Sequence, residues 1–171
     1  GQRSAAYVLA LAVSLPLVWG APGRMFRTPA GLPVGNDNRA SACASPDMLA
    51  ALDELPVGRV LAVADVAPDI LRYTRQSALH GHYHRNAAGI EAALDIFTSP
   101  PRGAVSLMRE AGVDYVLACP GHGELLMLAD VSPGDFADAL NAAIVPEGLQ
   151  VIRQGSDGET LYAVQPPAPR T

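Results

Sequence analysis

Apolar residues along the chain fall into short continuous runs separated by segments with helical periodicity. The runs Arg59 to Ala64 and Val113 to Cys119 contain few polar residues, which is typical of strands covered on both faces. Two further strands, Leu149 to Arg153 and Thr160 to Val164, flank the sequence Gly155 to Gly158. A glycine-rich segment between two strand-like runs indicates a β-hairpin.

Helical periodicity is accompanied by start and stop residues in four segments. Helices are predicted from Ser45-Pro46 to Leu55, from Asn86 to Thr98, from Arg102 to Ala111, and from Ser132 to Ala143, since Ser and Asn cap helices, Pro suits the first turn and Gly112 suits an end. Their predicted buried faces include Ile90, Ala93, Leu94 and Phe97, and Phe136, Leu140 and Ile144. Glu124 to Ala129 fits a strand or a helix. Residues 46–165 are therefore expected to form a small three-layer α/β domain with a mixed, mostly parallel sheet and a C-terminal hairpin.

The N-terminal run from Ser4 to Gly23 contains no charged residue, with Tyr7 and Trp19 towards its ends. As a helix it would be roughly 30 Å long, enough to cross the hydrocarbon core of a bilayer. One transmembrane helix over residues 4–23 is the favoured interpretation. A signal peptide beginning at Arg3 is the alternative, although Trp19 stands where a cleavage site ending at Ala21 would need a small residue.

Amino-acid composition predicts the character of the segments outside the domain and excludes one class of partner. Residues 24–45 are rich in Gly, Pro, Asn and Ser and predict a linker, and residues 166–171 predict a disordered tail. The chain is 49% hydrophobic and only 17% charged, with a net charge of −5. An acidic chain without a basic face is not expected to bind nucleic acid.

After the first strand the sequence predicts a turn at Pro68-Asp69 and a second short strand. Polar side chains follow both strands. Asp65 and Asp69 flank Val66-Ala67-Pro68, where carboxylates bind ligand hydroxyls or, more commonly, cap turns. Arg85 could bind a phosphate or carboxylate, or pair internally with an aspartate. The candidate ligand-binding residues are therefore Asp65, Asp69, Tyr83, His84, Arg85 and Asn86.

Three histidines occur at alternate positions, His80, His82 and His84. On an extended strand they would share one face, and with Cys119 and His122 they could contribute to a zinc or copper site. The segment contains neither an HExxH nor a CxxC motif and no carboxylate. Solvated or hydrogen-bonded histidines are the favoured interpretation, and no metal is predicted.

Glycine-containing segments offer no cofactor signature. The sequences PGHGE and GSDGE lack the phosphate-loop spacing and predict turns. A Ser-His-Asp arrangement is also not recognisable, so the sequence predicts no cofactor and leaves the catalytic residues unknown.

The segments DVAPDILRYTRQSALHGHYHRNAAG and VDYVLAC resemble a known family. They are similar to the extracytoplasmic C-terminal domain of bacterial polytopic membrane proteins related to C-type glycosyltransferases, which use lipid-linked sugars. The resemblance covers about residues 43–165. Its pattern includes Asp65, Ala67-Pro68, Thr74, Tyr83 to Asn86, Asp114 to Val116, and Cys119. Gly81-His82 departs from it, because a small residue and a proline usually precede this tyrosine.

The resemblance implies an architecture and a compartment. The chain would be a C-terminal accessory domain with the last membrane helix, in the inner membrane, with the folded domain in the periplasm. Its catalytic carboxylates would lie outside this sequence, so these residues would be the non-catalytic part of the enzyme. Expected partners are the rest of its own membrane domain and a lipid-linked sugar or acceptor.

In that compartment a disulfide between Cys43 and Cys119 is expected, largely through the resemblance, and two unrelated buried thiols are the alternative. The alternative for the whole chain is a single-span or secreted periplasmic domain that binds a ligand or metal without catalysis.

Overall fold

The computed structural model describes residues 43–167. The predicted transmembrane helix, nearly all of the predicted linker and most of the predicted tail lie outside this range. The elements, in chain order, are α1 (Pro46–Asp53), β1 (Arg59–Leu61), a 3-10 turn (Ala64–Val66), α2 (Ala67–Tyr73), β2 (Ser77–Ala78), α3 (Ala87–Phe97), α4 (Pro101–Glu110), β3 (Tyr115–Ala118), α5 (Gly123–Val131), α6 (Phe136–Asn141), β4 (Leu149–Gln154) and β5 (Thr160–Val164). Within residues 43–167 no helix has both the length and the apolar character needed to cross a bilayer.

The strands form one mixed sheet in the order β2-β1-β3-β5-β4. Strand β1 pairs in parallel with both β2 and β3, whereas β5 pairs antiparallel with both β3 and β4. The α/β class and the mixed sheet are thus confirmed. The expectation of a mostly parallel sheet is wrong, because the C-terminal hairpin adds two antiparallel pairings beside the central strand and balances the two parallel ones.

The core lies around β3, whose four residues are all buried. This agrees with the continuous apolar run that predicted a central strand. Helix α3 packs against α4 and α6, α5 packs against α6, and α1 packs against α2. The rings of Phe97 in α3 and Phe136 in α6 stack with their centroids 6.3 Å apart. Burial of these large side chains supplies the main favourable free energy of folding.

Helix ends confirm several of the capping predictions. The Ser45 hydroxyl accepts a hydrogen bond from the Met48 amide at 3.3 Å, and Pro46 opens α1. The Asn86 side chain accepts from the Gly89 amide and donates to the Leu79 carbonyl. Gly112 follows α4 with a φ of +66°, a conformation that a residue with a Cβ rarely adopts.

One prediction in the N-terminal half is wrong. Pro68-Asp69 was expected to form a turn, but both residues lie in the first turn of α2, where the missing amide of proline costs nothing. The arrangement considered for the alternative metal site, an extended histidine segment with three imidazoles on one face, does not form either. Instead the chain after Ala78 is irregular, His80 is buried, and His82 and His84 are exposed.

Further along the chain, the ambiguous segment after His122 forms helix α5. This helix continues to Val131, so Ser132 ends it instead of starting the next one. Helix α6 begins only at Phe136 after Asp135, since Gly134 has a φ of +86° and interrupts helical geometry. The exposed side chains Leu94 and Ile144 do not belong to the buried faces predicted for them.

The amino ends of the three parallel strands are joined by side chains that bond to the backbone. Gln76, which precedes β2, accepts from the Gly58 amide at 2.7 Å and donates to the Leu52 carbonyl at 2.9 Å. Asp114, which precedes β3, accepts from the Arg59 amide at 2.9 Å. These bonds fix the starts of the strands, and with them the loops at the opposite ends.

Candidate functional site

Polar side chains from three loops meet at the carboxyl ends of the parallel strands. Asp65 follows β1, His80 and His82 follow β2, and His122 follows β3. Since β1 lies between β2 and β3 in the sheet and is parallel to both, the loops after these strands emerge at the same edge. Ligand sites of α/β proteins commonly lie at this edge.

Asp65 is the centre of this arrangement. One carboxylate oxygen lies 2.6 Å from Nε2 of His82, and the other lies 3.5 Å from Nε2 of His122. The His82 side chain is 68% exposed and that of Asp65 is 49% exposed, whereas that of His122 is 6% exposed. The aspartate therefore connects a buried imidazole to one that faces solvent. We call Asp65, His82 and His122 the aspartate cluster.

The tautomer of His122 follows from its position before α5. Its Nδ1 accepts a hydrogen bond from the Glu124 amide at 3.3 Å, so Nδ1 carries no hydrogen in this geometry. The neutral ring then carries its hydrogen on Nε2, the atom that faces Asp65. The helix cap thus directs an N–H group towards the aspartate.

A second carboxylate, Glu124, lies beside the cluster. It accepts from the Ala64 amide at 2.7 Å, and its other oxygen lies 3.6 Å from Nε2 of His80. His80 packs edge-on to Phe97 with the ring centroids 6.2 Å apart. Its Nδ1 is buried and has no hydrogen-bond partner among the described residues. Buried polar atoms of this kind are uncommon and often mark functional regions.

The YHRN sequence divides into structural and exposed residues. Asn86 is structural, because both ends of its side-chain amide bond to the backbone. Tyr83 is 52% exposed, and its ring lies against Gly81, where an added Cβ would come within 3.3 Å of two ring carbons. His84 and Arg85 are exposed, and their side chains make no hydrogen bond or ion pair within the described residues. The same holds for Asp69, which is partly buried on α2.

Histidine and carboxylate side chains are close together here without forming a metal centre. Within residues 43–167 no group of three or more His, Cys, Asp or Glu side chains is arranged to hold a metal ion. The three alternate histidines do not share one site. His80 is buried beside Glu124, His82 is exposed beside Asp65, and His84 is exposed. What remains is a set of hydrogen-bonding groups that can accept from hydroxyls.

The predicted disulfide between Cys43 and Cys119 is confirmed, with the two Cα atoms 5.6 Å apart. It joins the start of the described chain to the residue that follows β3. Beside it lies a cleft of about 440 Å³, a size found among ligand pockets. The cleft is lined by Cys43, Cys119, Pro120, Gly121, His122, Asp157 and Glu159.

The pKa shifts in the domain lie at tyrosines of the sheet. Burial raises the pKa of Tyr115, and the nearby Asp114 carboxylate raises it further. Burial also raises the pKa of Tyr162, partly opposed by a hydrogen bond with Thr160. The Tyr115 hydroxyl donates to the Pro56 carbonyl at 3.0 Å. These phenols stay neutral and serve structure.

The fold is similar to that of a solved domain from a glycan-transferring enzyme. The crystal structure of the C-terminal globular domain of an oligosaccharyltransferase from Archaeoglobus fulgidus matches with a TM-score of 0.51 and 14% sequence identity. The match covers 70% of this chain and 95% of the archaeal domain. This likeness shows a shared fold, and at that level it agrees with the resemblance seen in the sequence. No protein-family model and no curated protein sequence matches the chain.

Sequence reasoning assigned Asp65 to the site but missed the roles of its partners. His82 was expected to be solvated or hydrogen-bonded without a named partner, His122 was considered only as a possible metal donor, and Glu124 was not selected. A usable signal was present, since PGHGE directly follows a predicted central strand. The ends of adjacent parallel strands lie together, so residues after β3 could have been paired with Asp65 had the strand order been known.

Proposed function

We propose that this chain is the C-terminal part of a polytopic membrane glycosyltransferase that uses a lipid-linked sugar, with residues 46–165 as its accessory domain. The observation that carries the proposal is the fold likeness to an oligosaccharyltransferase C-terminal domain, which extends over 95% of that domain. The sequence resemblance to extracytoplasmic domains of glycosyltransferase relatives points to the same class. In this proposal the uncharged run over residues 4–23 anchors the domain in the inner membrane.

The Cys43–Cys119 disulfide supports an oxidising compartment, since such bonds are rare in proteins kept in a reducing cytosol. The periplasm is the compartment that satisfies both the disulfide and a membrane anchor. A fusion of alkaline phosphatase after Thr171 tests this placement. Export makes the reporter active, and an inactive, stably produced fusion contradicts the periplasmic assignment.

The domain's own contribution is to bind and position a substrate. The carboxylates that drive transfer lie outside residues 43–167 in this proposal, whereas the aspartate cluster and the neighbouring cleft supply acceptor groups for a hydroxyl-rich molecule. The sheet holds both at the edge formed by the carboxyl ends of its parallel strands.

Disruption of the complete gene in its native host tests the enzymatic role. We expect loss of one sugar-containing envelope product and accumulation of its polyprenyl-linked precursor, both measured by mass spectrometry and both restored by the intact gene. The variant Asp65→Asn is expected to restore less product than the control Asp130→Asn, whose side chain is exposed on α5. Unchanged glycans and precursor pools in the disrupted strain contradict the proposal. Together with an active exported fusion, they favour the single-span binding domain instead.

A further inference from the structure

We infer that Tyr83, His82 and Asp65 form a binding subsite for a neutral pyranose ring. The inference rests on the proposed function and names the ligand class of its candidate site. The two polar residues supply hydrogen-bond acceptors, and the tyrosine supplies an aromatic face. The contacts that support this subsite lie within residues 64–86 and at His122, which caps α5.

Asp65 and His82 have unused acceptor capacity directed away from the core. Asp65 has no arginine partner in the described part of the chain, and the hydrogen on His82 Nε2 is committed to its carboxylate at 2.6 Å. The neutral imidazole then has an acceptor at Nδ1. A carboxylate and an imidazole acceptor side by side are suited to two neighbouring hydroxyl donors of a sugar.

His122 holds this pair in place. Its buried ring is oriented by the Glu124 amide, so its Nε2–H faces the second oxygen of Asp65 at 3.5 Å. The aspartate is therefore contacted on both oxygens before a ligand arrives. Such preorganisation reduces the entropy lost on binding.

Tyr83 supplies the apolar part of the subsite. Its ring is half exposed and rests against Gly81, where an added Cβ would lie 2.9 Å from the Ala67 Cβ and 3.3 Å from the ring. Gly81 is thus enclosed between the Tyr83 ring and Ala67, and Ala67 lies two positions after Asp65. Because Tyr83 also directly follows His82 in the chain, we place its exposed ring next to the polar pair.

The chemistry of this surface favours a sugar over other ligand classes. A phosphate next to Asp65 would meet a negative charge, and a metal ion lacks a third ligand among the described residues. A pyranose has an apolar C–H face, which can stack on an aromatic ring, and hydroxyl groups at its rim. The aromatic contact and the two acceptors together match these features.

The complete 171-residue chain in detergent micelles can be titrated with methyl glycosides of glucose, galactose, mannose and N-acetylglucosamine. We expect at least one to cause saturable NMR shifts at the His82 ring and the Gly81 amide, with a Kd on the order of 1 mM. The variants Tyr83→Ala and Asp65→Asn are each expected to weaken binding roughly tenfold. Tyr83→Phe keeps the ring and is expected to bind more tightly than Tyr83→Ala.

Tyr73→Ala is the matched control, because Tyr73 is 56% exposed but lies on α2 near Arg72. It should leave the Kd unchanged. The inference is overturned if no glycoside gives saturable shifts up to about 50 mM, or if Tyr83→Ala binds like the unaltered chain. Absent binding together with glycan loss in the disrupted strain would reject the subsite alone. Saturable binding with unchanged glycans would reject the glycosyltransferase role alone.

Discussion

The two ends of the parallel strands β1, β2 and β3 use polar residues in different ways. At the amino ends, Gln76 and Asp114 bond to backbone groups, and the donors and acceptors of the strand starts are satisfied. At the carboxyl ends, Asp65 contacts two imidazoles, and the buried Nδ1 of His80 has no partner among the described residues. The first set completes the fold, whereas the second leaves hydrogen-bonding capacity available to a ligand.

The contrast shows how one sheet can separate stability from binding. A side chain that bonds to buried backbone cannot change partners without a large loss of stability. Side chains that contact one another at a half-exposed edge contribute little to stability and keep hydrogen-bonding capacity for a ligand. Substitutions at the two ends should therefore differ in their effect on the free energy of unfolding.

The largest expected effect concerns the disulfide, which stabilises the carboxyl-end region covalently. The variant Cys43→Ser/Cys119→Ser is expected to lower the free energy of unfolding by about 4 kcal/mol, because the bond closes a loop between residues 76 positions apart and removes entropy from the unfolded chain. Urea unfolding with and without a reducing agent measures this. The reductant should have no effect on the double variant. Equal midpoints for the oxidised and reduced unaltered chain would disprove the prediction.

The amino end is tested by Gln76→Ala. This change removes the acceptor for the Gly58 amide and the donor to the Leu52 carbonyl, and the expected loss is about 3 kcal/mol for the unsatisfied buried groups. Gln150→Ala is the control, since Gln150 is exposed on β4 and its loss should cost less than about 0.5 kcal/mol. Similar losses for the two variants would mean that the Gln76 bonds do not fix the strand starts.

The smallest effect is expected at the aspartate cluster. Asp65→Asn should change the free energy of unfolding by less than about 1 kcal/mol, because the pair with His82 is more than 40% exposed on both sides and exposed ion pairs contribute little. Thermal unfolding monitored by circular dichroism is sufficient for this comparison. A loss above about 2 kcal/mol would mean that the aspartate cluster stabilises the fold as Gln76 and Asp114 do, and the contrast between the two ends would not hold.

Local signals predicted most of the elements because their causes are local. The cap at Asn86, the stop at Gly112 and the hairpin around Gly155 to Gly158 depend on backbone conformations that particular residues favour. The buried run before Cys119 likewise predicted the central strand. Errors occurred where a local signal had two meanings, since Pro68 suits both a turn and the first turn of a helix.

The site was harder to predict because it depends on the order of strands. Asp65 and His122 are far apart in the chain and meet only because β1 and β3 are adjacent and parallel. Nothing in the residues near either of them specifies that neighbour. His82 was recognised as a histidine of interest, but its partner is a carboxylate 17 residues away, and periodicity cannot indicate such a pairing.

The disulfide also determines how the domain would respond to mechanical force. A pull on Cys43 is transmitted through the covalent bond to Cys119, directly after the central strand. The intervening residues, which include β1, β2 and the loop carrying His82, are bypassed and cannot be extended while the bond is intact. If the chain is stretched between Cys43 and Pro167, only the segment after Cys119 can lengthen. The loop that carries His80, His82 and His84 lies between the two bonded cysteines and bears no force.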